Sequence, residues 1–163
     1  MTVTLPRLVS QHGRKHPGIL PADAFAPLPP STHNYPRLTF KDIYATVGAI
    51  GLRLGERAKD LAGKPVCIRG YMAPPDLERD DFFVLIRAPA FTCPFCDPGT
   101  NWPDDMVLAL LEGESRFVDP TQPIEVVGEL ELGAKLDLRT GATRLVRLRD
   151  ARWQPITSAV IER

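Results

Sequence analysis

Two cysteines two residues apart, in Cys93-Pro94-Phe95-Cys96, are the residues of this chain best suited to chemistry. That spacing lets both sulfurs face one metal ion, or join as a short disulfide. Pro94 fixes its own φ and pushes Cys93 toward extended backbone. Asp97-Pro98-Gly99 then places proline and glycine as a type II turn requires. A stiff segment suits a metal, because the cost of ordering the ligands falls on folding and not on binding.

Tetrahedral zinc needs four ligands, and this segment supplies two. The chain contains no second Cys-x-x-Cys. Cys67, Asp97, Asp104, Asp105 or a histidine could supply the others. A second copy of the segment in a homodimer would complete four sulfurs. Two thiolates alone satisfy Cu(I), which soft sulfur selects. Phe95 and Trp102 would line such a binding loop. A thiol–disulfide protein using the same pair is the second reading, and inert packing of the thiols is the third. Cys67 lies inside an apolar run and reads as a buried structural thiol.

The rest of the composition narrows the classes. The 163 residues include 20 basic and 20 acidic side chains, so no net charge draws the chain to nucleic acid or anionic membrane. With only three cysteines, not all can pair internally. No apolar run approaches the ~20 residues of a membrane span. The N-terminus lacks the apolar core of a secretory signal. As written, the chain reads as soluble and cytoplasmic; a periplasmic location follows if it is a mature exported form. No P-loop, dinucleotide fingerprint or Ser/His/Asp order is present, which leans away from an enzyme.

Elements that must position the thiols come next. Residues 1–37 hold seven of the seventeen prolines and all three histidines, and read as an irregular arm. His12 and His16 have the spacing of a helical metal pair, but Gly13 and Pro17 oppose a helix there. Residues 38–163 read as one domain. Thr39 with Asp42 forms an acidic capping box. Phe40, Ile43, Tyr44, Val47, Ile50, Leu54 and Ala58 recur at three and four, which predicts one helix over 39–62. Strands are expected from 65 to 154: Val66–Met72, Phe82–Ile86, Met106–Leu111, Ile124–Leu132 with a bulge at Gly128, and Thr143–Trp153. Five such strands predict a mainly β fold, a small OB-like antiparallel barrel with one flanking N-terminal helix.

Three stretches in this order resemble a family of small bacterial proteins known only as a domain of unknown function. They are Gly63–Pro74 with its Gly70-Tyr71-Met72-Ala73-Pro74, Phe82–Leu85 leading to the cysteine segment, and Ile124–Leu130 with its Val127-Gly128-Glu129-Leu130. Members look OB-like and are often exported or lipid-anchored near transport genes. The resemblance covers residues 60 to 153 and implies no established activity. Cys-Pro-Phe-Cys is also similar to the glutaredoxin motif, but there it must open a helix. Asp97-Pro98-Gly99 and Trp102-Pro103 prevent one here.

Arg144, Arg147, Arg149 and Arg152 make the last strand basic, as a single-strand nucleic-acid surface would be. Glu125, Glu129 and Glu131 are placed to neutralise it across strands, so nucleic acid is not the expected partner. The function expected from sequence is a non-enzymatic binder of Zn²⁺ or Cu(I) through Cys93 and Cys96, accessory to transport. The alternatives are a redox protein and an OB-type adaptor for a protein partner.

Overall fold

A computed structural model describes residues 34–46, 51–74, 81–90, 105–113, 117–137 and 142–156. The fold is mainly β. Its elements are β1 (Arg37–Leu38), α1 (Phe40–Ile43), β2 (Tyr44–Thr46), β3 (Arg53–Leu54), α2 (Glu56–Asp60), β4 (Pro65–Met72), β5 (Phe82–Ile86), β6 (Val107–Leu111), β7 (Pro123–Asp137) and β8 (Ala142–Pro155).

The helix expected over 39–62 is replaced by two short helices and a small hairpin. Its start was legible. Thr39 caps α1, with the Asp42 amide donating to Thr39 Oγ1 at 3.2 Å and the Thr39 amide donating to Asp42 Oδ2 at 2.8 Å. The Thr39 backbone contact is the main reason that the Asp42 carboxyl sits below its ordinary range. One turn later Tyr44 swings to extended backbone, and β2 pairs antiparallel with β3. Gly51 takes φ +95°, which a helix cannot accommodate. Gly55 then caps α2 and donates its amide to Ile43 O at 2.8 Å, closing the excursion. The apolar residues still turn inward: Phe40, Ile43, Tyr44 and Ala58 are buried, and Leu52, Leu54 and Leu61 pack against the same core. Three-and-four spacing therefore arose from a helix–hairpin–helix that shares one apolar side. Each glycine costs a helix interior up to ~1 kcal/mol, and here the chain bends instead.

The sheet follows the order β1-β4-β5-β6-β8-β7, and β7 also pairs with β4, so it closes partly on itself. Most neighbours are antiparallel, but β1–β4 and β6–β8 run parallel, which departs from an all-antiparallel expectation. Strand β5 matches the expected Phe82–Ile86, and β6 is a strand as read. Strands β7 and β8 extend beyond their expected ends. The register of β7 on β8 shifts between Val127 and Glu129, the bulge expected at Gly128. A Cβ there would lie 2.8 Å from Arg149 O, so the close approach of β8 requires glycine.

Alternation along the strands divides the side chains between two clusters. Val66, Ile68, Phe83, Leu85, Val107, Ala109, Ile124, Val126, Leu130, Val146 and Leu148 enter the main core with α1 and α2. Phe83 meets Trp153 edge-on, with centroids 6.1 Å apart. On the opposite face, Phe82, Val84, Ile86, Met106 and Leu108 form a second cluster with Ala73. Strand β5 is thus buried on both faces. Among the described residues no helix is long and apolar enough to cross a membrane. Of the irregular arm expected over 1–37, residues 1–33 lie outside the described residues, and Arg37 belongs to β1. Tyr35 packs beside Cys67 and Val127, and Leu38 is in the main core, so the packed body reaches back to Tyr35.

Candidate functional site

Cys93, Cys96, Phe95, Asp97, Trp102 and Asp104 lie outside the described residues, as do the three histidines. The structure does fix both ends of the connection that carries the cysteines. Strand β5 ends at Ile86, and β6 begins at Val107. Between them Arg87 Nε lies 3.2 Å from Asp105 Oδ2. The guanidinium is largely exposed, while the Asp105 side chain is only 3 % exposed. Asp105 Oδ1 is buried without a hydrogen-bond partner. Nearby, the Tyr44 hydroxyl donates to Met106 O. Burial first, and then the Asp105 charge, push the Tyr44 phenol further above its ordinary range. The tyrosine is therefore a neutral donor tied to backbone, and leaves the carboxylate alone.

Cys67 occupies a different place. It lies on β4 opposite Val127 and next to Arg37 of β1. Its neighbours Val66 and Ile68 enter the main core, so its side chain takes the other face, against Val127 and Tyr35. Glu125 shares that face, buried, with Arg69 Nε donating to Oε2 at 2.8 Å and Arg37 4.0 Å from the same oxygen. Burial chiefly, and then the Glu125 charge and hydrogen bond, raise the thiol from 9.0 to about 11. A thiol so placed resists ionisation, and only the thiolate is nucleophile or metal ligand. Cys67 is a free, buried thiol, as its apolar run suggested.

A prediction follows for a variant with serine at 93 and 96, where Cys67 is the remaining thiol. It should be inert to a thiol reagent at pH 7 in the folded state and react at once on denaturation. Because the folded pKa is raised, the stabilisation from keeping this group neutral is fully present below pH 9 and is lost as pH rises through about 11. The stability difference between that variant and one also carrying Cys67→Ala should change over the same interval. Fast labelling in the native state would contradict the burial.

Two of the four arginines of the last strand meet glutamates that the sequence placed across from them. Arg147 Nε donates to Glu131 Oε2 at 2.7 Å, and Arg149 lies 4.0 Å from Glu129 Oε1. Arg147 is itself buried and also donates to Gly133 O and Arg144 O. Trp153, the aromatic nearest those arginines in sequence, is committed to Phe83. Among the described residues no group of three or more His, Cys, Asp or Glu is arranged to hold a metal. Glu125, expected to face the arginines of the last strand, is buried and meets Arg69 of β4 and Arg37 of β1 instead; sequence reasoning missed that pairing, the Arg87–Asp105 pair and the Tyr44 tie. The signal available for Glu125 was a carboxylate inside the apolar run Ile124–Val127, opposite an arginine in the equally apolar Val66–Met72.

These features define a mainly β protein whose six-stranded sheet partly closes, with an ion pair clasping the ends of a cysteine-bearing connection. No family model matches the chain, and no curated protein matches it. Among solved structures it is similar to the crystal structure of a DUF3299 family protein from Pseudomonas aeruginosa PAO1. The TM-score is 0.50 at 14 % identity, over 74 % of this chain and 95 % of that chain. At that identity the likeness is one of fold. That protein, like the family the sequence resembles, is described as a domain of unknown function.

Proposed function

We propose that this protein is a non-enzymatic, OB-type binding protein that holds a soft metal ion, Zn²⁺ or Cu(I), through Cys93 and Cys96, as an accessory to transport. The observation that carries the reading is the way the cysteine segment is mounted. It leaves one strand buried on both faces and enters another, and Arg87 with Asp105 at 3.2 Å ties its two ends. Two thiols two residues apart, in a segment whose sequence is rich in proline, have the spacing and softness that such an ion takes as a donor pair. The ring of pairings β4-β5-β6-β8-β7, returning to β4, supports the OB-like barrel expected from the sequence. Cys67, with a thiol that resists ionisation and a carboxylate beside it, is left out of the ligand set.

Elemental analysis of the purified protein tests this, paired with a thiol count before and after reduction. Bound zinc or copper with thiols that need no reduction is the expected result. A metal-free protein that gains two thiols on reduction would replace the metal reading by the thiol–disulfide one. A metal-free protein with all thiols free would leave an adaptor for a protein partner.

A further inference from the structure

The outer face of β1, β4, β7 and β8 gathers guanidiniums around one buried carboxylate. Register fixes which residues share it. Arg37 lies opposite Cys67, Cys67 opposite Val127, and Val127 opposite Arg152, one row across four strands. The next row holds Arg69, Glu125 and Gln154. Their sequence neighbours Leu38, Ile68, Val126 and Trp153 turn to the main core, which puts both rows on the opposite face. Glu125 is 3 % exposed, and a buried carboxylate needs a partner. Arg69 Nε donates to its Oε2 at 2.8 Å, and the Cys67 thiol bonds to it as well. Among the described residues Arg69 engages nothing else, so the terminal nitrogens of its fork stay open. Arg37 stands 4.0 Å from the same oxygen, beyond hydrogen-bond distance, with its side chain 54 % exposed. Arg152 is exposed and has no ion-pair partner among the described residues, Asp150 of the β8 bulge included. Three guanidiniums against one carboxylate leave this patch positive by two charges.

We infer that this face is a site for a phosphoryl dianion, free or at the end of a small organic ligand, with Arg37, Arg69 and Arg152 as its donors. Glu125 is the positioning residue, holding Arg69 by Nε so that the outer edge of the fork faces solvent. Guanidinium forks match phosphate oxygens two at a time. A phosphate monoester carries about −1.5 to −2 charge at neutral pH, which the surplus on the patch balances. Arg37 and Arg152 are three interstrand gaps apart, about 14 Å between backbones, and two long side chains leaning inward can close on one group. A nucleic-acid strand fits less well, because its charges are single and spread out, while the arginines farther along β8 are met by Glu129 and Glu131. The inference stands apart from the metal-binding reading and shares no residue with it.

The test follows backbone amide NMR shifts of the full chain during titration with sodium phosphate, phenyl phosphate and dimethyl phosphate, at ionic strength held constant with chloride. Saturable shifts at Arg37, Cys67, Arg69, Val127 and Arg152 are expected for the first two probes. The tighter of these two tells whether the ligand is the free ion or an organic ester. Dimethyl phosphate, a monoanion, should bind at least about tenfold more weakly. Charge-assisted hydrogen bonds are strong enough that Arg37→Gln/Arg152→Gln should also lose at least about tenfold in phosphate affinity. Arg53→Gln, an exposed arginine on β3, should lose nothing. Shifts that fail to saturate, or that centre elsewhere, overturn the inference. Undiminished affinity in the double variant overturns it too. Equal affinity for dimethyl and phenyl phosphate overturns the dianion, and that comparison needs wild type alone.

Discussion

Gly55→Val is expected to cost at least about 3 kcal/mol, because the added side chain collides with backbone and not with a flexible neighbour. A Cβ on Gly55 would lie 2.1 Å from Asp42 O and 3.0 Å from Asp42 C. That crowding follows from the contact that holds α2 against α1, the Gly55 amide donating to Ile43 O at 2.8 Å. The obstacle cannot move without loosening α1, and α1 carries Phe40 and Ile43 into the main core. Thermal unfolding should register a midpoint lowered by about 10 °C. Gly113→Ala is the control, since a Cβ there meets nothing within 4 Å. Equal midpoints for the two variants would show that the α1–α2 junction is looser than described.

Arg147→Ala should be the next most damaging change, by about 2–3 kcal/mol. The guanidinium is buried and divides its donors among Glu131 Oε2, Gly133 O and Arg144 O at 2.7, 3.0 and 2.8 Å. Gly133 has φ +113°, and the β7–β8 register shifts between Leu132 and Lys135 around it. Arginine thus ties an irregular stretch of β7 to β8, and alanine would leave two carbonyls and a carboxylate without it. Lysine cannot reproduce the planar fork, so Arg147→Lys should recover only part of the loss. The effect also carries a pH signature. The Glu131 carboxyl is held below 4.5, first by its hydrogen bond from Arg147. A depressed folded value means stabilisation present above pH 4.5 and lost as pH falls through the lower folded value. The stability gap between wild type and Arg147→Ala should accordingly narrow below pH 4.5. A gap that stays constant down to acid would assign the loss to packing alone.

What the sequence disclosed and what it hid can be traced to particular residues. Phe82–Ile86 was readable because a β-rich run sits between charged and proline-containing stretches, and its span agrees with β5. The Gly128 bulge was readable because glycine interrupts an alternating run. Thr39 and Asp42 marked a helix start, since a capping box is local chemistry. The length of that helix was not readable from periodicity. Apolar residues of α1, the β2–β3 hairpin and α2 all turn toward one core and mimic a helical period. Here the glycines were better evidence than the spacing. Strand β1 was hidden because two residues pairing parallel with β4 leave no pattern in a chain. For the site, sequence alone marked the thiols and the burial of Cys67. The Arg87–Asp105 clasp depends on β5 and β6 lying side by side, so no local pattern announces it. The same holds for the bare oxygen of Asp105, a property of what surrounds it and not of its type.

The metal affinity of wild type against that of the Cys93→Ser/Cys96→Ser variant tests the central claim most directly. Both proteins are titrated with Zn²⁺ and, anaerobically, with Cu(I), against a chromophoric competitor. Thiolate is the soft ligand, and a serine hydroxyl is neither soft nor ionised at neutral pH. The account predicts that the variant folds, unfolds at the temperature of metal-free wild type, and binds neither ion measurably. A folded variant that binds both ions as tightly as wild type would contradict it.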